Sequence, residues 1–138
     1  MTRGFHVAFE KQGAITVATI KATRVLDALN VTEFGQELLK YVNGHPATNL
    51  LVNFEHVHYL SSAVLTELLR IKEALESTNG SLRLCALNKD IRRVFEITNL
   101  DKIFTIYDDP GTAPQRYERS LQIEAEDQAW LKGSGDLG

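Results

Sequence analysis

The apolar positions of this chain switch between two spacings. Phe5, Val7 and Phe9 alternate with polar neighbours, and Ile15, Val17 and Thr19 alternate again after Gln12-Gly13. Period-two alternation on both sides of a turn predicts two antiparallel strands. ALNVTEFGQELLKYVNG then takes helical spacing, with Val31, Phe34, Leu38 and Tyr41/Val42 on one face. Asn30, with Glu33 three residues on, is the expected cap, and Gly44 the stop. Gly35 inside this helix costs up to about 1 kcal/mol, which packing can offset.

NLLVNF is a short apolar run between turn residues, as expected of a central strand buried on both faces. From Ser62 onward, Val64, Leu65, Leu68, Leu69, Ile71 and Leu75 form a helical stripe, with Glu67, Arg70, Glu73 and Glu76 mostly on the solvated side. STNG ends that helix and SLRLCAL is a further strand. Asn88 is placed to cap a short helix carrying Ile91, Val94 and Phe95, and a last strand is expected around residues 103–107. After Pro110 the chain turns polar. Tyr117 and Leu121 predict one packed turn of helix, and residues 122–138 read as an acidic, partly disordered tail. Strands alternating with helices imply an α/β fold: a mostly parallel mixed sheet with an antiparallel edge strand, covered by about four helices.

Composition adds exclusions. The 138 residues are 43% hydrophobic and 24% charged, with formal net charge −3. That is one ordinary globular domain without the basic surplus of a nucleic-acid binder. The single Cys85 excludes an internal disulfide and reads as a buried small hydrophobe. No stretch approaches a membrane span, and the first residues lack the apolar run of a signal peptide. A cytoplasmic protein, monomeric or weakly dimeric, is expected.

The candidate chemistry centres on YLSSAVLTELL, where Ser61 and Ser62 lie between a strand and a helix. Three readings compete there: helix caps, a nucleophile, or an acceptor of phosphate. Serine is a favoured N-cap. A nucleophile needs a base and an oxyanion hole, and the G-x-S-x-G elbow is absent. His45, His56 and His58 are near in sequence, but nothing fixes one beside the hydroxyl. His56 and His58 have no third metal ligand in view. Asp108-Asp109-Pro110 reads as a turn, and no glycine-rich phosphate loop occurs. A phosphoryl group, by contrast, suits a helix N-terminus, where free N–H groups and the dipole favour negative charge.

Three stretches resemble STAS domains, the fold of bacterial anti-sigma factor antagonists. LLVNFEHVHYLSSAVLTELLRIKEAL resembles the family's strand, serine-containing turn and long helix. ITNLDKIFTIYDD resembles its approach to the last strand, and VLDALNVTEFGQELL its Leu-Asp turn before the first helix. The likeness covers about residues 5–121, so the STAS domain is placed at 1–121. It implies a regulatory protein, not an enzyme, without cofactor or metal. Its partner would be an anti-sigma factor that is also a GHKL-type serine kinase, with a PP2C-type phosphatase reversing the phosphorylation. The resemblance assigns the phosphoacceptor to Ser62, with Ser61 the alternative, and the partner surface to Asp27, Ser61, Ser62, Ala63 and Val64. Ser61, Ala63 and Val64 stand where the family commonly has Asp, Ser or Thr, and Gly. Val64 is expected to add bulk to the first helical turn. The other reading within the fold is a non-phosphorylated scaffold or transport-complex subunit.

Overall fold

The computed structural model describes residues 7–21, 24–25 and 28–137, with side chains for 7–21 and 31–131. Strands β1 (Val7–Gln12) and β2 (Ile15–Ile20) form the expected hairpin. The turn falls on Gly13-Ala14, one residue later than the sequence suggests, because Gly13 supplies a φ of +64°. Phe5 lies outside the described residues.

Next come β3 (Arg24–Val25), α1 (Ala28–Gly44), β4 (Asn49–Asn53), β5 (Tyr59–Leu60), α2 (Ser62–Glu76), β6 (Ser81–Cys85), α3 (Lys89–Ile97), a 3-10 turn (Leu100–Lys102), β7 (Ile106–Tyr107) and α4 (Ala113–Leu137). The main sheet has the order β1-β2-β4-β6-β7, antiparallel only at β1–β2. This is the mixed α/β sheet that the sequence predicts. Asn30 is not a cap: α1 starts at Ala28, since Ala and Leu favour helix. Nor does Glu33 complete a capping box; its buried Oε1 has no hydrogen-bond partner.

β4 is at the centre, and its run Leu50-Leu51-Val52 is fully buried on both sides. Leu50 and Val52 face a core shared with Phe34 and Leu38 of α1, Leu68 and Leu75 of α2, and Phe95 of α3. Leu51 faces the opposite layer, with Ile15, Val17, Cys85, Tyr107, Ala113 and Tyr117. β2 is also buried on both faces, so Thr16 and Ala18 are as hidden as Ile15 and Val17. Its alternation therefore marks two buried faces, not an exposed one.

At Gly35 in the interior of α1, the flexible carboxylate end of Glu67 of α2 lies where a Cβ would stand. At the other end of α2, Asn79 takes a left-handed φ of 67° and the Gly80 N–H returns to Leu75 O at 2.8 Å, closing the helix as STNG predicts. Gly80 abuts the Thr48 backbone too closely for any side chain. Leu69 departs from the predicted stripe and is 37% exposed, as is Val94 of α3. Both lie at the edge of their helix's apolar face. The last strand is shorter than expected, because Leu100–Lys102 form the 3-10 turn and Ile103 remains half-exposed.

α4 covers the second face of the sheet. The Tyr117 hydroxyl meets Ser81 Oγ at 2.5 Å, and Ser81 Oγ donates to Asn49 Oδ1 at 2.7 Å. The Arg83 guanidinium lies 4.6 Å from the Tyr117 ring centre, donates to the Tyr107 hydroxyl at 2.8 Å and pairs with Glu124 at 3.2 Å. The helix extends to Leu137, well past the single packed turn read from Tyr117 and Leu121. The partly disordered tail of the sequence reading is thus helical, yet residues 122–131 are all exposed.

Two predictions follow from this packing. Gly80→Ala should lose about 1–3 kcal/mol in urea unfolding, because the new methyl group meets rigid backbone. Alkali should also destabilise the fold. Burial, followed by Glu55 and Asp109, pushes the Cys85 thiol from 9.0 up to about 12. Burial likewise raises Tyr117 from 10.0 to about 12, against the lowering influence of Ser81 and Arg83. The unfolded chain releases these protons first, so stability should fall as pH rises from about 9 to 12. Cys85→Ala should flatten the lower part of that fall in pH-dependent urea titrations.

Candidate functional site

Two short strands carry the chain to the serines. β3 and β5 form a parallel ribbon, with Arg24 opposite Tyr59 and Val25 opposite Leu60. The loop before β5 is fixed from α3. Asn88 Oδ1 accepts the Ile91 N–H at 2.9 Å, the predicted cap, while its Nδ2 donates to His58 O at 3.1 Å. One side chain thus starts α3 and anchors the approach to α2. Sequence shows the cap, but the second bond spans 30 residues and has no local signal.

Leu60 is buried, and Ser61 follows in extended conformation at the N-cap, with φ −88° and ψ 162°. Its carbonyl accepts the Val64 N–H at 3.1 Å. Its hydroxyl makes no capping bond and is buried without a partner. Ser61 therefore occupies the cap position without serving as a side-chain cap. Ser62 is the first residue of α2; both it and Ala63 are exposed. Val64 and Leu65 then turn into the core, Val64 with no exposed surface. Val64 is therefore a correction: its side chain packs inward, adds no bulk at the surface and offers a partner nothing to touch. Tyr59, 55% exposed, is a surface residue beside the serines that the sequence reading passed over. Asp27 lies outside the described residues.

The arrangement presents a hydroxyl beside the free amides at a helix start, with no acidic residue in the first turn of α2. That environment favours an anionic group on Ser62. Nucleophilic chemistry finds less support. His45 Nδ1 is engaged with Tyr41 O at 2.8 Å, and His56 and His58 are exposed. Among the described residues no group of three His, Cys, Asp or Glu side chains is placed to hold a metal. Asp109 accepts the Gly111 N–H at 2.9 Å, as the turn reading of Asp108-Asp109-Pro110 anticipates. Among the described residues no helix is long and apolar enough to cross a membrane.

Comparison with known proteins agrees with this geometry. The profile of the STAS domain matches residues 6–113. BtrV of Bordetella bronchiseptica, described as a candidate anti-sigma factor antagonist, is 27% identical over 97 residues, which are 70% of this chain and 83% of BtrV. An anti-sigma factor antagonist from Mycobacterium paratuberculosis superimposes with a TM-score of 0.71 at 22% identity, over 83% of this chain and 95% of that one. The antagonist SpoIIAA in its unphosphorylated form gives 0.69 at 18% identity, over 82% and 96%. The Bacillus cell fate determinant SpoIIAA in the phosphorylated form gives 0.63 at 18% identity, over 82% and 98%. A matching profile over most of the chain leads to one conclusion: this chain belongs to the STAS domain family.

Proposed function

We propose that this chain is a non-enzymatic regulatory protein of the anti-sigma factor antagonist type, which binds a partner through the start of α2 and is switched by phosphorylation of Ser62. The observation that carries the reading is the exposed Ser62 hydroxyl on the first residue of α2, next to a cap position whose own side chain leaves the helix amides unserved. A phosphoryl group there adds about 1.5 to 2 negative charges in a place where the helix dipole tolerates them. The fold is kept, while a docked partner meets new charge and bulk. The existence of SpoIIAA in both phosphorylated and unphosphorylated forms supports the same reading. By resemblance, the partner is a GHKL-type serine kinase that acts as an anti-sigma factor, and a PP2C-type phosphatase reverses the modification in the cytoplasm.

The docking surface comprises Ser61, Ser62 and Ala63, and the family resemblance adds Asp27 to it. Tyr59 is the exposed aromatic residue at the same corner, and such residues often anchor interfaces.

Binding measurements against a purified GHKL-type anti-sigma kinase from the same cells test the switch. Ser62→Ala should bind as the unmodified protein does, with an unchanged melting temperature. Ser62→Asp and the genuinely phosphorylated protein should fold normally and bind at least about tenfold more weakly. Equal affinity for phosphorylated and unmodified chains would assign the protein to the non-phosphorylated scaffold or transport-complex class. For the second part of the surface, Asp27→Lys should fold and lose about tenfold in affinity. Unaltered calorimetric binding would remove Asp27 from the interface.

A further inference from the structure

The distal half of α4 carries a surface that the Ser62 corner does not use, on the helix covering the opposite face of the sheet. In residues 122–131, Ile123 is 48% exposed, Trp130 71% and Leu131 64%. An isolated helical segment of this length is marginal in water unless an apolar face is buried. Tyr117 and Leu121 point α4 toward the sheet. Arg116, Ile123 and Trp130, spaced seven residues apart, run along a different line, roughly 100–140° around the helix. All three are exposed. Arg119 and Glu126, also exposed and seven apart, share one edge of that line.

The order of charges along this line fits its own reverse. Basic Arg116 and Arg119 precede Ile123, while acidic Glu126 and aromatic Trp130 follow it. We propose that two copies of this chain form a two-fold symmetric dimer by antiparallel packing of α4 against α4, with Ile123 meeting Ile123 at the centre. In that register each Arg116 is level with Trp130 of the second copy, a cation–π pairing. Each Arg119 is offset by one residue, about 1.5 Å along the axis, from Glu126 of the second copy, on the same flank of the seam. Every contact occurs twice, as a two-fold interface requires. A parallel pairing would instead set Arg116 against Arg116 and Arg119 against Arg119. Arg116 already lies over its own Tyr107 ring at 5.3 Å, so the second aromatic ring extends an existing stack. A buried Trp contributes roughly 150–250 Å² per copy. With Ile123 the patch stays below the roughly 1,200 Å² total at which stable interfaces begin. The dimer is accordingly weak and concentration-dependent.

Trp130 is the sole tryptophan, so its fluorescence reports this surface alone. The full chain is measured from about 1 to 500 µM by sedimentation equilibrium and by Trp130 emission, a range spanning weak association. Mass should rise from one chain toward two, and emission should shift to shorter wavelength in step. Trp130→Ala should leave a monomer at every concentration. Arg119→Glu and Glu126→Arg should each weaken the dimer about tenfold, because two pairs become repulsive in each. Combining them should restore the wild-type constant, a result that loss of a helix cannot mimic. Circular dichroism checks that each variant keeps its helix content. A single-chain mass across the whole range would overturn the proposal. So would a concentration-independent short-wavelength emission, which places Trp130 on its own domain, or a dimer indifferent to both charge exchanges.

Discussion

Burial of β4 on both faces is the constraint from which the rest of this structure follows. Leu50-Leu51-Val52 has no exposed side, so the strand must be flanked and covered in every direction. β2 and β6 flank it in parallel. α1, α2 and α3 supply one cover and α4 the other. Parallel neighbours require crossover connections, which place the starts of the covering helices beyond the carboxyl ends of the strands. The serine corner occupies such a position because the core leaves it no other.

The handover from β5 to α2 converts that constraint into a surface. Leu60 and Val64 are both drawn inward, and the residues between them span the edge of the core. Ser61 turns its hydroxyl into a buried space without a partner, and Ser62 faces water. A buried hydroxyl without a hydrogen bond costs about 1–3 kcal/mol. This cost falls on the residue preceding the proposed phosphoacceptor.

Much of this was legible in the sequence. The spacing of Val64, Leu68, Ile71 and Leu75 reports α2, and Asn88 reports its own cap, because both signals are local. The two-residue strands β3 and β5 were not legible: two paired residues carry no periodicity, and their pairing joins segments 35 residues apart. The direction of Val64 was misjudged because comparison with a glycine position suggests bulk without saying where it points. The extent of α4 was legible only in part because residues 122–131 bury no apolar side chain, and a buried stripe is the feature by which helices announce themselves. Ile123 and Trp130 lie instead on a line away from the sheet.

The account rests most heavily on Ser62 being the residue that changes state. Phosphosite mapping by fragmentation mass spectrometry, on protein purified from its own cells with phosphatases inhibited, addresses that directly. The account predicts a population carrying one phosphate, localised to Ser62 and absent from Ser61, which disappears on phosphatase treatment. A chain unmodified under every growth condition, or one modified only at another residue, would contradict it.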